Sequence, residues 1–560
     1  MTNKREAELT AVEGLKARSN FLRGTLVESL ADNATGALSE DDTQLSKFHG
    51  FYQQDDHDVR SDRLRQKLEP TYSFMIRVRV PGGIATPQQW LALDEVARDC
   101  GDYTLRLTTR QAIQFHGVSK RDLKKSISRI NNRLLDTIAA CGDVNRNVMC
   151  SPLAKKSAIH RAAYATATAI SEHLTPRTRA YHEIWLDGEK VEGSTDVEPI
   201  YGSTYLPRKF KIGIAIPPSN DVDIFSQDLG FIAIEKDGEL IGFNVAVGGG
   251  MGMTHGEPDT YPRVADVIGF CTVDQAIEIA EHVVKLQRDF GDRTNRKHAR
   301  LKYTIDHRGL NWFREELFGR LGYRLQDERK FLFVSRGDQF GWSKSQYGRW
   351  DLTLFIPEGR IKDDDQHRVL TGFREIAQIH SGDFRLTANQ NLIISGIDAV
   401  DRPAIEKLAD HYGVTALQQV SPLRQQALAC VAFPTCGQAM AEAERYMPEL
   451  NSKVELLLQK HGLIDEPISL RITGCPNGCA RPYLAEVGLV GKAPGRYNLF
   501  LGGSVDGQRL NRLTHENVDE DEFMDVLDEL CSRFVAGRRD GESFGDFSYR
   551  CCAPLAEALG

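Results

Sequence analysis

Four cysteines in two close pairs are the side chains of this chain best suited to hold a metal centre. Five residues separate Cys430 from Cys436, and three separate Cys475 from Cys479. Thiolates bind soft and borderline metals, and four of them complete the ligand set of a tetrahedral zinc ion or of an iron–sulfur cluster. The two pairs therefore predict a four-thiolate site, which the fold must assemble.

The spacing within the pairs leaves three interpretations open. Zinc ligands are usually separated by two or four residues, so the C-x5-C and C-x3-C spacings favour an iron–sulfur cluster over zinc. Free cysteine is also among the residue types most often buried, so unliganded thiols are the third interpretation. Spacing alone does not decide among the three.

The second pair follows a predicted strand. Residues 468–473 alternate between apolar and polar types, which is the period of a half-buried strand. Pro476 has no N–H to donate to a sheet, so the strand ends before it and Cys475 and Cys479 lie in a tight loop. Helical patterns between residues 437 and 462 separate the two pairs in the sequence.

A basic strand in the first half of the chain predicts an anion site. In residues 209–216, Lys209 and Lys211 fall on one face of the strand, and apolar side chains fall on the other. A solvated edge strand would show the same pattern. Arginines recur in the neighbouring predicted segments, at Arg77, Arg79, Arg106, Arg110 and Arg146. Together these cations are typical of a cage around a ligand with many negative charges.

The chain contains an internal duplication. Residues 105–111 (LRLTTRQ) match residues 384–390 (FRLTANQ), and similar turns precede them at 81–83 (PGG) and 357–359 (PEG). Further matches follow in the same order, namely 228–232 with 486–490 and 243–249 with 497–503. An ordered series of matches predicts two related halves about a pseudo-twofold axis, with a cofactor between them.

Only the second half keeps the thiolates. Residues 475–478 (CPNG) are replaced by residues 217–220 (PPSN) in the first copy, although Cys150 falls in the position of Cys430. The first copy therefore cannot bind a cluster, and its basic strand corresponds to the strand that precedes the cysteine loop. We expect both strands to face one shared cleft.

The C-x5-C pair, together with T-G-C-P-N-G-C at residues 473–479, resembles the motif of the nitrite and sulfite reductases that contain siroheme. The resemblance extends from Lys47-Phe-His-Gly50 to Phe544-Gly-Asp-Phe547. In that family siroheme is coupled to a 4Fe-4S cluster. The resemblance implies four cluster ligands, Cys430, Cys436, Cys475 and Cys479. It also implies that Cys479 joins the cluster to the siroheme iron.

The resemblance assigns the cationic and amide side chains as well. Siroheme has eight carboxylates, and unpaired buried charge is costly, so the cofactor needs many donors. The residues implied to contact siroheme are Arg106, Arg110, Gln114, His116, Arg208, Lys302, Gln390, Asn391, Asn477, Cys479 and Arg481. The residues implied to face the open axial position of the iron are Arg77, Arg146, Lys209 and Lys211.

The implied fold class is α+β, with two pseudo-symmetric nitrite/sulfite reductase repeats, mixed sheets, a shared ferredoxin-like domain and cofactors in the cleft between domains. We expect an extended N-terminal arm for partner docking at 1–70. The shared ferredoxin-like domain is expected at 71–138 and 342–418. The first-repeat siroheme and substrate domain is expected at 139–341, and the second-repeat 4Fe-4S and siroheme domain at 419–560.

Composition limits the classes of function. The chain has 560 residues and a formal net charge of −8, which gives no general attraction for nucleic acid. No apolar run is long enough to span a bilayer, and the first thirty residues lack a secretory or transit pattern, so we expect a cytoplasmic protein. The 11 cysteines are then expected to be thiols or metal ligands. These patterns do not explain Cys551 and Cys552.

The resemblance implies an assimilatory enzyme that reduces sulfite to sulfide with six electrons. The chain has no dinucleotide fingerprint between a strand and a helix, so its electrons must come from elsewhere. The segment Lys47–Gly50 resembles the NADPH-dependent bacterial type, whose donor is a separate diflavin (FAD/FMN) subunit. A ferredoxin-dependent sulfite or nitrite reductase is the alternative, although the pair Lys209 and Lys211 favours sulfite. An electron-transfer subunit without its own active site is an alternative from another class.

Overall fold

The N-terminal arm is helical rather than extended. The computed structural model describes residues 8–153, 157–188 and 196–555. The arm comprises α1 (Ala11–Arg18), α2 (Leu26–Ala31), α3 (Glu40–Leu45), β1 (Phe51–Asp55) and α4 (His57–Arg65). Leu15, Leu22, Leu26, Leu45 and Phe48 are buried in the main core. The expectation of an extended arm was wrong because these few apolar side chains suffice to pack short helices on the first half of the chain.

The first half of the chain continues with a ferredoxin-like unit and the first repeat. The ferredoxin-like elements are β2 (Tyr72–Val78), β3 (Ile84–Ala85), α5 (Pro87–Cys100), β4 (Leu105–Leu107), β5 (Ile113–Val118) and α6 (Leu123–Asn131). The first-repeat elements are β6 (Met149–Cys150), α7 (Ala158–His173), α8 (Ala180–Trp185), β7 (Ile212–Ala215), β8 (Leu229–Lys236), β9 (Glu239–Val247), β10 (Asp266–Cys271), α9 (Ala276–Phe290), α10 (Leu301–Arg308) and α11 (Leu310–Leu321).

The second half repeats this order. Its ferredoxin-like elements are β11 (Gly341–Lys344), β12 (Trp350–Leu354), β13 (Arg360–Ile361), α12 (Val369–Ile379), β14 (Asp383–Leu386), β15 (Leu392–Ile397) and α13 (Arg402–His411). Its second-repeat elements are α14 (Pro422–Gln426), β16 (Leu428–Ala429), α15 (Met447–Lys460), β17 (Leu470–Thr473), β18 (Val487–Ala493), β19 (Arg496–Leu501), β20 (Arg512–Val518), α16 (Glu520–Gly537) and α17 (Phe544–Cys551). The strand predicted at 468–473 is confirmed as β17, which begins at Leu470.

The described residues form four five-stranded sheets in two equivalent pairs. Sheet 1 has the order β1-β2-β5-β4-β13, and sheet 2 has the order β11-β12-β15-β14-β3. Sheet 3 runs from β6 to β10, and sheet 4 runs from β16 to β20. In sheets 3 and 4 the first three strands are parallel, and the next two join antiparallel. The matching topologies confirm the internal duplication.

The two ferredoxin-like halves exchange short strands. In sheet 2 the edge strand is β3 from the first half, which pairs with β14. In sheet 1 the edge strand is β13 from the second half, which pairs with β4. Both strands follow the turns that begin at Pro81 and Pro357. The shared ferredoxin-like domain is thus built jointly by both halves.

Two glutamines at equivalent positions make reciprocal contacts. The side-chain amide of Gln111 donates to the carbonyl of Leu386 at 2.9 Å, and that of Gln390 donates to the carbonyl of Leu107 at 3.5 Å. Both glutamines have a positive φ. This reciprocity identifies a pseudo-twofold axis between the segments 105–111 and 384–390.

A buried ion pair also lies across this axis. Gly230 pairs with Gly213 in sheet 3, and Gly488 pairs with Arg471 in sheet 4, so Gly230 and Gly488 occupy equivalent positions. Asp223 precedes Gly230 by as many residues as Arg481 precedes Gly488, so Asp223 and Arg481 are equivalent as well. Both residues have left-handed backbone conformations and precede short 3-10 turns. The carboxylate of Asp223 accepts a hydrogen bond from Nε of Arg481 at 2.5 Å.

The same registers correct the position given to Cys150. Met149 pairs with Gly213, and Leu428 pairs with Arg471, so Cys150 is equivalent to Ala429. The equivalent of Cys430 is Ser151, since the N–H groups of these two residues donate to Ile214 and Ile472 respectively. The alignment by sequence was therefore wrong by one residue, because the short segments around both cysteines have few other identities.

Among the residues that the model describes, no helix is both long and apolar enough to cross a membrane.

Candidate functional site

The four cysteines lie on two loops that are held against each other. Cys430 directly follows β16, and its N–H donates to the carbonyl of Ile472 in β17 at 3.3 Å. The carbonyl of Gly474 accepts hydrogen bonds from the N–H groups of Met440 and Ala441 at 2.7 and 3.1 Å. The sheet therefore brings Cys430 beside the loop of the second pair, although more than forty residues separate them in the sequence.

Backbone and amide donors point at two of the sulfurs. The N–H of Gly474 donates to Sγ of Cys430 at 3.3 Å, and Nδ2 of Asn477 lies 3.6 Å from Sγ of Cys475. Hydrogen bonds of this kind tune the potential of thiolate-bound clusters. Cys479 is exposed, whereas the other three are buried or half-buried.

The cysteines repel one another as thiolates. Burial, together with the charge of Cys479, raises the pKa of Cys430 well above its ordinary value. Burial and Cys479 also raise the pKa of Cys475 to about 12, and Cys436 contributes to both shifts. Four thiolates this close are unfavourable without a cation between them, so the sulfurs fit a cationic centre.

The number and the placement of sulfur ligands differ between a single metal ion and an iron–sulfur cluster. Within the described chain, no three His, Cys, Asp or Glu side chains are grouped closely enough to hold one metal ion. A single zinc ion needs all of its ligands within about 2.3 Å of one point. A cluster of four iron atoms binds each cysteine at a different corner, so its ligands lie further apart. The four cysteines on the two loops supply the four thiolates that a 4Fe-4S cluster needs.

A row of polar side chains crosses one face of sheet 1. Arg77 lies opposite Gln114, Gln114 opposite Arg106, and Arg106 opposite Arg360 in the strand registers. The side-chain oxygen of Gln114 accepts from Nε and Nη2 of Arg77 at 3.2 and 2.6 Å. His116 lies two residues after Gln114 and therefore on the same face. This row includes four of the predicted site residues.

The two arginines predicted to hold substrate share acceptors in one loop. Nη1 of Arg77 donates to Sγ of Cys141 at 2.9 Å and lies 3.5 Å from the carbonyl of Ala140. Nη1 of Arg146 lies 3.3 Å from the same carbonyl, and its Nε donates to the carbonyl of Gly142 at 2.8 Å. The structure thus brings Arg77 and Arg146 together through the segment 140–142.

Lys209 and Lys211 are half-buried beside other cations. No hydrogen bond or ion pair joins either ammonium group to another residue that the model describes. Burial, with the charges of Arg208 and Arg300, lowers the pKa of Lys209 to about 7. Burial, with Arg110 and Lys209, lowers the pKa of Lys211 well below its ordinary value. The strand predicted at 209–216 is shorter in the structure, where β7 covers only Ile212–Ala215 and both lysines precede it. The alternating apolar residues Phe210, Ile212, Ile214 and Ile216 are buried as predicted.

The same excess of positive charge surrounds Arg110 and Arg208. Burial and the charge of Arg146 lower the pKa of Arg110 to about 9, and burial and the charge of Arg296 lower that of Arg208 to about 10. Nε of Arg110 is buried without a partner. Uncompensated cations and an unpaired donor are what a cofactor with many carboxylates requires. These residues therefore fit siroheme.

Two predicted siroheme ligands already have protein partners on the cluster side. Arg106 donates to the carboxylate of Glu444 at 2.6 Å and to the carbonyl of Ala429 at 3.0 Å, directly before Cys430. Glu444 also pairs with Arg360, which in turn lies 3.1 Å from Nδ1 of His116. Arg106 and His116 therefore support the cysteine loop, and their contact with siroheme stays a prediction.

Three further predicted siroheme ligands, Lys302, Asn391 and Arg481, also have protein partners. Lys302 donates to the carbonyl of Gly252 at 2.8 Å and also contacts the carbonyls of Gly250 and Tyr261. Asn391 donates to Asp338 at 2.7 Å. Arg481 donates to the carbonyls of Thr109 and Ala388, both at 2.8 Å, in addition to Asp223. Gln390 keeps its side-chain oxygen buried and unpaired, so it retains capacity for a ligand.

Three residues near Arg77 and Arg146 were not identified as site residues from the sequence. The ring of Tyr52 lies 5.9 Å from Nζ of Lys47 and 5.8 Å from Cζ of Arg77. Cys141 provides the sulfur that accepts from Arg77. The segment Lys47–Gly50 contributed to the family resemblance, but its sequence gives no sign that the arm would reach this site.

Comparisons with known protein families agree with this site. The model of the nitrite and sulphite reductase 4Fe-4S domain matches residues 165–325, and the model of the nitrite/sulfite reductase ferredoxin-like half domain matches residues 65–133 and 343–412. The first match lies in the first repeat, which lacks the cluster cysteines. The residues matched by this model therefore do not include the four cysteines, which lie between 430 and 479.

Relatives of similar length match nearly the whole chain. The sulfite reductase (NADPH) hemoprotein beta-component of Myxococcus xanthus is 59% identical over 542 residues, which cover 97% of this chain and 96% of the relative. That of Geobacillus kaustophilus is 57% identical, with 96% and 95% covered. The solved structure of the Mycobacterium tuberculosis NirA protein has a TM-score of 0.80 and 25% identity, and covers 97% of this chain and 96% of its own. The chain therefore belongs to the family of the sulfite reductase (NADPH) hemoprotein beta-components.

Proposed function

We propose that this chain is the catalytic component of an assimilatory sulfite reductase and reduces sulfite to sulfide. The observation that carries the proposal is the group of cations without acidic partners, Lys209, Lys211 and Arg110, in a protein that also holds four cysteines on two adjacent loops. A polyanionic cofactor and a small oxyanion both fit this excess of positive charge. Full-length similarity to sulfite reductase hemoproteins supports the same conclusion.

The chain would hold its two cofactors with different residues. Cys430, Cys436, Cys475 and Cys479 would bind a 4Fe-4S cluster, and Cys479 would also ligate the siroheme iron. Siroheme coupled to the cluster supplies, when bound, single-electron transfer to the sulfur atom of the substrate. Arg110 and Arg208 would pair with siroheme carboxylates, which relieves the repulsion between these cations.

Arg77 and Arg146 would bind and orient the substrate anion. A guanidinium group is always charged and presents a planar fork of donors, which matches the oxygen atoms of sulfite. The acceptors in 140–142 occupy some of these donors and fix the direction of both side chains. Gln114 also accepts from Nε and Nη2 of Arg77, so most of the donors that remain for the anion belong to Arg146.

Lys209 and Lys211 would supply protons. Each sulfite oxygen leaves as water and so must be protonated as its bond to sulfur breaks. A lysine whose pKa is near neutrality can hold a proton on Nζ and release it to such an oxygen. The pKa of Lys209, lowered to about 7, is suited to this step.

We further propose that a separate diflavin subunit (FAD/FMN) that oxidises NADPH donates the electrons. The names of the relatives include NADPH, and this chain has no dinucleotide fingerprint in a strand-to-helix context. A flavoprotein partner is therefore required for NADPH to serve as the reductant.

The proposed function is tested with the purified chain and an artificial reductant. We expect visible absorption from siroheme and, with reduced methyl viologen, sulfide release from sulfite at a higher kcat/KM than ammonia release from nitrite. Preferential turnover of nitrite would instead identify a nitrite reductase. A preparation reconstituted with iron and siroheme that showed no siroheme absorption would contradict the proposal.

A further inference from the structure

The N-terminal arm contacts a loop, residues 137–143, that carries the hydrogen-bond acceptors of Arg77 and Arg146. We propose that the arm is a positioning element for the substrate arginines, and that it acts by holding this loop at both ends. The proposal rests on the proposed function, because it takes Arg77 and Arg146 as the cations that bind the anion. It adds a role inside the active site for a segment that the family resemblance associates with partner docking.

The 137–143 loop fixes the direction of both guanidinium groups. Three consecutive residues provide the acceptors, namely the carbonyl of Ala140, Sγ of Cys141 and the carbonyl of Gly142. Arg77 and Arg146 share the carbonyl of Ala140. A displacement of this loop would therefore turn both arginines together, and each would lose alignment with an anion held between them.

The arm holds the first end of the loop through backbone groups. The N–H of Ala139 donates to the carbonyl of Phe48 at 3.1 Å, and Oγ1 of Thr137 donates to the carbonyl of His49 at 2.6 Å. The carbonyl of Gly50 accepts from the N–H of Arg77 itself at 2.8 Å. Three consecutive arm residues thus contact either the loop or one of the two arginines.

The contact between arm and loop leaves no space for a side chain at two glycine positions. Gly50 has φ of 93°, and a Cβ there would lie 2.0 Å from the carbonyl oxygen of Thr137. Gly142 has φ of 88°, and a Cβ there would lie 2.9 Å from Cα of Phe48. The two glycines allow the backbones of arm and loop to approach to a distance that no side chain permits.

The imidazole of His49 fixes the arm segment in place. Trp185 Nε1 donates to Nδ1 of His49 at 2.9 Å, so Nε2 carries the hydrogen and donates to the carbonyl of Leu22 at 2.9 Å. Both ring nitrogens are therefore satisfied in one neutral tautomer. Burial lowers the pKa of His49 to about 4, so this arrangement persists at neutral pH.

Helix α1 holds the second end of the loop. Nζ of the buried Lys16 donates to the carbonyl of Leu206 at 2.7 Å and lies 3.8 Å from the carboxylate of Asp143. The N–H of Leu206 donates to the carbonyl of Asp143 at 3.0 Å, and Arg296 pairs with the Asp143 carboxylate at 2.8 and 2.9 Å. Leu206 precedes Arg208 by two residues, so α1 also supports the start of the basic strand.

The experiment uses variants of the full chain with both cofactors bound. Thr137→Val removes the hydroxyl that donates to His49 while it keeps the shape of the side chain, and Thr137→Ser restores the hydroxyl. Lys16→Met removes the second attachment. Arg18→Gln is the matched control, since Arg18 lies in the same helix and its ion pair among the described residues is an exposed one with Asp41.

We expect Thr137→Val and Lys16→Met each to raise the KM for sulfite by about 5- to 10-fold. This factor corresponds to the free energy of one buried hydrogen bond that holds the loop in place. Reduced methyl viologen is the reductant, so partner docking does not enter the measurement. kcat should stay within about twofold, and Thr137→Ser and Arg18→Gln should match the parent chain. Amide hydrogen exchange should become faster in residues 137–143 of the two affected variants, a readout that needs no turnover.

The outcomes separate this inference from the proposed function. Arg77→Lys is measured in parallel, and an unchanged KM in that variant would remove Arg77 from substrate binding and contradict the proposed function. If Arg77→Lys raises the KM but Thr137→Val and Lys16→Met leave both the KM and the exchange of 137–143 unchanged, the arm has no positioning role. An equal loss of siroheme from Thr137→Val and Thr137→Ser would also overturn it, since the hydroxyl would then be irrelevant.

Discussion

Replacing Lys209 with methionine should make the protein more stable and much less active. The ammonium group of Lys209 is half-buried among cations, and its pKa falls from the ordinary 10.5 to about 7. The folded chain therefore binds fewer protons than the unfolded chain between these two pH values. The resulting penalty on folding is full at and below pH 7, and it disappears as the pH rises to 10.5.

The size of the stability gain follows from this shift. A pKa difference of this size corresponds to roughly 5 kcal/mol at pH 7. Partial exposure and relaxation of the neighbouring side chains reduce the expected gain to about 2 kcal/mol. For a chain of 560 residues this corresponds to an increase in Tm of roughly 2 °C. The gain applies to protein prepared without siroheme, because siroheme carboxylates would neutralise part of the cationic surroundings.

The assay combines thermal unfolding with turnover. Unfolding of Lys209→Met and of the parent chain is compared at pH 7 and at pH 10, and the difference in Tm should shrink at the higher pH. Sulfite turnover of the cofactor-loaded variant at pH 7 should fall by about 100- to 10,000-fold, the usual contribution of a general acid. Lys236→Met is the matched control, since Lys236 is exposed at the end of β8 in the same repeat.

Two results would refute this reasoning. A Tm for Lys209→Met below that of the parent at pH 7 would show that the ammonium group has a stabilising partner. Repulsion from the neighbouring cations would then not destabilise the fold. Turnover within about threefold of the parent at saturating sulfite would remove Lys209 from the proton-supplying role, whatever the stability result.

Three further predictions concern other residues of the site. Lys211→Met should keep both cofactors, seen in the visible spectrum, and lose about 100-fold or more of sulfite turnover because a second proton donor is removed; full turnover would exclude this role. Cys479→Ser should abolish the electronic coupling of siroheme and cluster, measured by absorption and paramagnetic resonance, and a parent-like spectrum would place the shared ligand elsewhere. Asp223→Asn should lower the free energy of unfolding by about 3–5 kcal/mol, because it leaves Arg471 and Arg481 as buried unpaired cations; an unchanged urea midpoint would contradict this.

The architecture was largely predictable because a duplication leaves traces in the sequence. The matched segments 105–111 and 384–390 predicted two halves, and sheets 1 and 2 have the same strand order. The strand before the second cysteine pair was readable from its alternation. The exchange of β3 and β13 was not predictable, since strands of two residues carry no periodicity and depend on tertiary pairing.

The candidate site was predictable in its residue types more than in its contacts. The cysteine loops and the basic strand follow from spacing and alternation. The sequence could not indicate that Arg106 forms an ion pair with Glu444, because 338 positions separate the two residues. It also could not indicate that Lys47 and Arg77 both contact the ring of Tyr52, since these contacts depend on how the arm packs on the first half of the chain.

The contact between Asp223 and Arg481 constrains the history of this chain. Equivalent positions in two identical copies would carry the same residue, and an aspartate facing an aspartate, or an arginine facing an arginine, is repulsive at the centre of an assembly. The attraction now present requires the copies to differ. It therefore arose only after the two copies had begun to differ in sequence, and from then on neither half could be exchanged for a duplicate of the other.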